Sequence, residues 1–576
     1  MTCDNSPEKQ PGTENNLTAS QQKPWRYAET LLAVISVGLI QLKVLWRIWD
    51  LLDIPVGDEA AYLYRGYLFL AHGQLPSLQA SPLMSMIYAG LLRVLGSATT
   101  VTLLSRVILA VCISALIFLV LRRLAPIPVA LGLTFWWCIN WINVIEEVLV
   151  YRVALVIGLL GILAVPPKGR YRWLPLCMAF CLILFLRLEY ALSLVLLGFL
   201  LIGKKLLATH PLRTLWLKIA VGCALILAIG VGLVFWIDGD GTCTQQSSSK
   251  LFVYFGQAYE EWYTQKNPEL GPLNYHNWLE RMAEQFGGSC SVLGAAQSNP
   301  KEFLAFITSN LLHFPLIVAR AVYGHISFLP PGISERVPLV GGQLSTVVLG
   351  LGLVASTIYG IRLLKKDGSD AVLQSLKSRV AFTENQSDVM IGLLALCGGC
   401  LPAILFALRW HYLPPIIILS LSLLALGIGM VFIRRSSPIF NIAMMIVLIV
   451  LAPQLRNRID IPGPHAGVVA VKALQQIMTT SSDDLRLLAD VSAGLCVHSN
   501  PERCTPVYMF QKSDMETVEE FIHKWDVNAV YVTPTLTGSY LYRDDPYFEA
   551  LIAGKLDEWR LYVLDEGSRL FILENP

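Results

Sequence analysis

The run LLAVISVGLIQLKVLW, Leu31 to Trp46, is apolar enough to cross a bilayer, and the chain turns acidic straight after it. Asp50 and Asp53 come first, then Gly57-Asp58-Glu59-Ala60-Ala61-Tyr62. A carboxylate is costly to take out of water, so two adjacent ones at the mouth of a span face water or do chemistry there. The rest of the chain repeats the apolar half of this pattern. Of 576 residues, 54% are hydrophobic and 15% charged, and the mean hydropathy is +0.55. That balance excludes an ordinary soluble protein. The net charge of +2 gives no reason to expect a nucleic-acid partner, and how the charges are distributed says more than their sum.

Spans need roughly 20 apolar residues, or somewhat fewer where the bilayer is thin. Candidates are Leu31–Trp46, Val101–Val120, Pro128–Val144, Val148–Val165, Trp173–Leu186, Ala191–Ile202, Leu215–Ile237, Leu339–Ile361, Val389–Leu408, Leu413–Ile433 and Ile439–Leu451. That is about eleven by hydropathy. Trp173–Leu186 and Ala191–Ile202 are short and could form one bent hairpin. Lys and Arg collect in cytoplasmic loops, and here they fall in alternate ones. Arg122 and Arg123 follow the second span, Lys168, Arg170 and Arg172 the fourth, and Lys204, Lys205, Arg213 and Lys218 the sixth. Arg362, Lys365, Lys366, Lys377 and Arg379 follow the eighth, and Arg434 and Arg435 the tenth. The alternation places the N-terminus in the cytoplasm and the C-terminal tail outside. No cleavable signal peptide is read, so Leu31–Trp46 is expected to stay as a signal anchor.

The expected fold is an α-helical polytopic membrane protein in three parts. Residues 1–27 form a polar, disordered cytoplasmic start. Residues 28–455 form the membrane domain, with long exterior loops at 50–100 and 238–336. Residues 456–576 form a small exterior α/β domain of normal size. In the first loop, Ala60–Ala71 and Pro82–Leu95 read as helices lying in the outer interface, as does Lys301–Phe314 in the third. The tail shows strand-like Leu485–Val491 and Val527–Val532, helical spacing over Ala466–Met478 and Glu516–Trp525, and a hairpin from Trp559–Leu564 to Ser568–Leu573. Cys243 and Cys290 share the third exterior loop, and Cys496 and Cys504 share the tail. Outside the cell such pairs are free to form disulfides.

The acidic pair has company in sequence. Asp58-Glu59-Ala60-x-Tyr62 precedes Ala71-His72-Gly73-Gln74-Leu75-Pro76, Ser81-Pro82-Leu83, Ile87-Tyr88 and Leu91-Leu92-Arg93-Val94-Leu95-Gly96, with Arg106 and Arg122-Arg123-Leu124 completing the series. Glu146-Glu147 ends the third span on the same side. Arg187-Leu188-Glu189-Tyr190 and Arg409-Trp410-His411-Tyr412-Leu413-Pro414 lie at exterior span ends, against the positive-inside trend. Taken alone, each has a plainer explanation. Acids favour helix N-termini, and Arg, Trp and Tyr snorkel and anchor at interfaces. Arg187 could simply pair with Glu189.

Together these residues resemble the GT-C superfamily of polytopic glycosyltransferases, nearest to the lipid-A aminoarabinose transferases and protein O-mannosyltransferases. The likeness covers about Leu31 to Ile202, and Arg409-x-x-Tyr412-Leu413-Pro414 more weakly. It implies a sugar donor on polyprenyl (or dolichyl) phosphate and a lipid, glycan or protein acceptor at the exterior face of a bacterial-type plasma membrane. It also implies Asp58 as general base and Glu59 as the residue positioning the base or the acceptor, an order that could be reversed. Arg187, Arg409, His411 and Tyr412 would receive the donor phosphate. Glu146 and Glu147 would hold a divalent cation, Mg²⁺ or Mn²⁺, both of which prefer carboxylate oxygen.

The competing function is a transporter or flippase of lipid-linked or small substrates. It predicts inverted repeats and ionisable residues at mid-membrane, whereas here the acids cluster outside the spans and no repeat is visible. Cys397-Gly398-Gly399-Cys400 has redox or zinc spacing but lies in an apolar run without partner ligands, which favours close helix packing by small residues.

Overall fold

The computed structural model describes residues 19–50, 53–54, 57–76, 81–145, 149–169, 171–209, 250–270, 277–323, 384–401, 410–431, 437–454, 466–481, 483–513, 515–564 and 568–574. The expected spans Leu215–Ile237 and Leu339–Ile361 lie outside these residues, as do Glu146, Glu147, Arg409 and Cys243. The described part is mostly helical with one small C-terminal sheet. The first nine helices are α1 (Ala19–Val44), α2 (Gly57–His72), α3 (Pro82–Leu95), α4 (Ala98–Leu124), α5 (Ile127–Cys138), α6 (Trp141–Ile145), α7 (Leu149–Ala164), α8 (Leu174–Leu184) and α9 (Ala191–Thr209). Then come α10 (Lys250–Lys266), α11 (Trp278–Phe286), α12 (Val292–Ser298), α13 (Pro300–Tyr323), α14 (Glu384–Leu396), α15 (Pro414–Val431) and α16 (Pro438–Leu451).

Several of these helices are apolar on every side, as membrane or deeply buried helices are. Among the described residues three segments, Tyr27–Asp50, Ala98–Leu124 and Pro300–Ala319, are long and apolar enough to cross a membrane, and six shorter helices are also apolar. In α1, Ala33, Val37, Ile40 and Val44 are buried while Leu31, Ile35, Leu39 and Leu42 stay exposed. The spacing of the buried set puts one face on the bundle and leaves the other for lipid. This is an integral membrane protein.

Several boundaries differ from the sequence reading. The helix α1 begins at Ala19, inside the 1–27 start expected to be disordered, and the expected span Val389–Leu408 is interrupted by the turn at Cys397–Cys400. The run Pro128–Val144 is not one helix. Asn140 ends α5, because its Oδ1 accepts the Ile142 N–H at 3.0 Å and its Nδ2 donates to the Ala321 carbonyl at 2.7 Å. Short polar side chains bonding to nearby backbone in this way compete with the helix ladder. The segment read as a short interfacial helix at Lys301–Phe314 extends to Tyr323. Its far end is pinned by Asn140 and by Trp136, whose Nε1 donates to the Val322 carbonyl at 2.7 Å. Both residues sit toward the end of the α5–α6 segment remote from Arg122 and Arg123. Although α13 has a spanning length, it leads to that mouth of the bundle.

The loops expected to be cytoplasmic meet at the other end. The buried Asp388 accepts from Arg172 at 3.2 Å and Lys204 at 2.8 Å. Arg123 donates to the carbonyls of Ile162 and Leu163 at the end of α7. Cys397–Cys400 forms a tight turn against α9, as the small-residue reading expected. A Cβ on Gly398 would lie 2.8 Å from the Ser193 backbone, and one on Gly399 2.7 Å from the Tyr190 ring.

The tail holds α17 (Ala466–Thr480), α18 (Ser492–Ser499) and strands β1 (Leu485–Ala489), β2 (Cys504–Tyr508), β3 (Ala529–Val532), β4 (Trp559–Val563) and β5 (Arg569–Leu573). The strand order is β2-β1-β3-β5-β4. The first three strands are parallel and β3, β5 and β4 antiparallel. The sequence reading missed β2, an edge strand that carries Pro506, because proline weakens a strand signal and is tolerated only at an edge. A disulfide joins Cys496 on α18 to Cys504 on β2. Cys290 is also disulfide-bonded.

The tail is docked onto the first loop. Asp53 caps α17, accepting the N–H of Gly467 at 3.1 Å and of Val468 at 3.0 Å, which satisfies amides a helix start leaves unpaired. Nearby, His498 Nδ1 lies 3.0 Å from Thr99 Oγ1, and its buried Nε2 has no partner among the described residues. Burial pushes the His498 pKa down to about 4, against the opposing pull of Asp53. Its contribution to docking is therefore complete above its ordinary value of 6.5 and lost as pH falls toward 4. Protease sensitivity of the tail in the full-length protein is expected to rise across that window, and His498→Gln is expected to flatten the rise.

Candidate active site

The remote mouth of the bundle is where the first loop, the 185–190 turn, α7 and the 410–412 turn converge. Asp58 and Glu59 sit in the first turn of α2, where the helix dipole favours acids. Successive residues on a helix point about 100° apart, so the two carboxylates diverge. Asp58 turns outward with 57% of its side chain exposed, while Glu59 is 3% exposed.

Glu59 joins three helices. Its Oε2 accepts the N–H of Leu149, the first residue of α7, at 2.9 Å, and its Oε1 accepts the Tyr88 hydroxyl from α3. Tyr88 comes this close because α2 and α3 touch at Gly66, where a Cβ would lie 2.8 Å from Tyr88 Cβ. Burial, assisted by the Asp58 charge and opposed mainly by the Leu149 N–H and Arg106, pushes the Glu59 carboxyl up to about 8.

Arg187 closes the other side. Its side chain is 2% exposed, and its Nη2 donates to Asp58 Oδ2 at 3.1 Å. Its Nη1 donates to Tyr254 Oη on α10 at 2.9 Å, and the guanidinium lies 4.6 Å from the centre of the Tyr151 ring. Glu189 is a distant second acid at 4.0 Å from Nε, accepting the Tyr151 hydroxyl at 3.1 Å instead. Just before Arg187, the Leu186 carbonyl accepts Ser81 Oγ at 2.6 Å. Ser81 adopts the left-handed region (φ 57°) to do this, a conformation that costs a non-glycine residue energy and concentrates at functional sites. The far wall is aromatic. His411 stacks on Tyr151 with ring centres 4.6 Å apart, and Tyr412 meets the same ring edge-on at 4.8 Å.

Of the sequence-selected residues, Asp58, Glu59, Arg187, His411 and Tyr412 therefore meet at one place, while Arg409, Glu146 and Glu147 lie outside the described residues. The sequence reading passed over Tyr151 and Tyr254. Tyr151 is an aromatic near the end of an apolar helix and Tyr254 one of several aromatics on the amphipathic α10, so neither stands out until Arg187 is seen to touch each one. Among the described residues no group of three or more His, Cys, Asp or Glu side chains could hold a metal.

No protein-family model and no curated protein sequence matches the chain. Solved structures do. The apo oligosaccharyltransferase of Archaeoglobus fulgidus is 13% identical, covering 88% of this chain and 69% of that one at a TM-score of 0.42. The same protein in complex with Zn and sulfate gives 12%, 94% and 73%, at 0.41. ArnT from Cupriavidus metallidurans bound to undecaprenyl phosphate gives 14%, 96% and 99%, at 0.30. These are GT-C glycosyltransferases. The overlap is loose at such scores, and the functional reading stands on the residues.

The buried Glu59 has a consequence for stability. Its carboxyl binds a proton in the folded protein up to about pH 8, and in the unfolded chain only up to about 4.5. Stability attributable to it is thus full below 4.5 and lost as pH rises through 8. Glu59→Gln removes the charge, its amide oxygen still accepting the Leu149 N–H while its NH2 donates to the Tyr88 hydroxyl oxygen. The variant is expected to melt higher than the parent at pH 8 and to converge with it near pH 4.5.

Proposed function

We propose that the protein is a membrane glycosyltransferase of GT-C architecture. It moves a sugar from a polyprenyl-phosphate donor to a hydroxyl on a lipid, glycan or protein acceptor at the exterior membrane face. About eleven spans, a cytoplasmic N-terminus and an exterior domain over 456–576 belong to the same reading. The Cys496–Cys504 disulfide supports an oxidising location for the tail.

The observation that carries the proposal is the Asp58–Arg187 pair: an exposed carboxylate held at 3.1 Å by a buried guanidinium at the mouth of an apolar bundle. In one step the acceptor oxygen attacks the anomeric carbon, its proton passes to Asp58, and the anomeric C–O bond breaks with its electron pair leaving on the phosphate. A base and an anionic leaving group in one cavity repel each other. Arg187 between them offsets that repulsion while fixing the carboxylate, with His411, Tyr412 and Arg409 assigned to the phosphate. Glu59, buried and hydrogen-bonded on both oxygens, supports α2 from beneath and is a positioning residue.

Glu146 and Glu147 are the proposed ligands of Mg²⁺ or Mn²⁺. Adjacent carboxylates are the donor chemistry these ions take, and Leu149 two residues on is anchored to Glu59. A bound cation would add positive charge beside the leaving phosphate. Chelation is expected to lower transfer, with Mg²⁺ or Mn²⁺ restoring it in the parent and not in a Glu146→Gln, Glu147→Gln double variant.

Radiolabelled polyprenyl-phosphate sugars and a membrane extract as acceptor test the central claim. Asp58→Asn is expected to lower kcat by about 10² to 10⁴, the usual contribution of a general base. Full transfer by that variant would remove Asp58 from the chemistry.

A further inference from the structure

A second polar cavity of about 190 Å³ lies away from the Asp58 mouth, between the third loop and the tail. One wall comes from α10 and α11, with Glu260, Thr264, Arg281 and Glu284. Arg543 of the tail forms the facing wall, and Leu270 contributes an apolar patch. The two sides are riveted together. Asn277 accepts the Tyr540 N–H at 3.0 Å and donates to the Gly538 carbonyl at 3.3 Å, and Arg543 donates to Glu280 at 2.8 Å.

We propose that this cavity is a saccharide subsite for an acceptor glycan, which rests on the transferase reading above and narrows its acceptor class. The volume suits one sugar ring, equal to about six waters at ~30 Å³ each. Its chemistry excludes simpler occupants. Three carboxylates against two guanidiniums repel a phosphate. Each carboxylate is already answered by an arginine, Glu260 and Glu284 by Arg281 and Glu280 by Arg543, so no bare donor set awaits a cation. What remains is a fixed alternation of acceptors and N–H donors around an apolar patch. That matches vicinal hydroxyls on one edge of a sugar and C–H groups on its face.

The donors are held rigidly. Arg281 is sandwiched by its ion pairs and by the Tyr263 ring, 4.7 Å from the guanidinium, which lowers the ordering cost of binding. The helix α10 connects the two places. Tyr254 touches Arg187, while Glu260 and Thr264 follow six and ten residues later, about 9 and 15 Å along the axis. A short oligosaccharide spans that gap.

Binding is measured separately from transfer. Full-length protein in nanodiscs is titrated with linear hexose and N-acetylhexosamine oligosaccharides of one to four units, read by saturation-transfer NMR. The parent and Asp58→Asn are expected to bind the longer ones alike, with affinity falling about tenfold in Arg543→Ala and in the isosteric Glu284→Gln at unchanged melting temperature. Equal binding by all four proteins overturns the subsite, as does no binding by the parent, binding of inorganic phosphate that Arg543→Ala abolishes, or binding of Mg²⁺ that Glu284→Gln abolishes. Full transfer by Asp58→Asn overturns only the catalytic reading, because oligosaccharide binding is scored independently.

Discussion

A guanidinium with 2% of its side chain exposed has to be answered by its surroundings, and Arg187 organises this protein's mouth for that reason. Removing one partner from a buried ion pair typically costs several kcal/mol, since it leaves a charge without water or counter-ion. Four separate segments supply the answer here: Asp58 from α2, Tyr151 from α7, Tyr254 from α10 and Glu189 from its own turn. None can shift far without exposing that cost. The same pull keeps an otherwise solvated Asp58 in a fixed direction.

Glu59 supplies the complementary constraint from beneath. By accepting from the start of α7 and from Tyr88, it sets the angle at which α2 leaves the bundle, and so where Asp58 points. Adjacent acids thus divide into a buried organiser and an exposed carboxylate. The tail extends the arrangement outward. Asp53, five residues before Asp58, caps α17 from far away in the chain, 414 residues before Gly467. One short acidic segment therefore ties the membrane bundle, the candidate site and the C-terminal domain together.

Much of this was legible in the sequence because it follows from local pattern. Apolar length marks α4 and α7 within a few residues, alternating strands and helical spacing mark most of the tail, and Gly398-Gly399 reads as close packing. Three features were not legible. The break at Asn140 joins a local bond from the Ile142 N–H to one with a carbonyl 181 residues away, and no window along the chain contains the second. The edge strand β2 hides behind its proline, and α13 outruns its interfacial pattern because distant donors hold its far end.

The sequence by itself determined that this is an apolar helical membrane protein with acids and arginines set at the ends of its apolar runs, since length, hydropathy and charge position are properties of the chain. Only the tertiary structure decided which members of that set meet. It separated Asp58 from Glu59 by exposure, gave Arg187 to Asp58 rather than to Glu189, and brought in Tyr151 and Tyr254. The physical reason is that burial and hydrogen-bond distance belong to neighbours in space. Two adjacent carboxylates, Asp58 and Glu59, carry no sequence mark of which will lose its water.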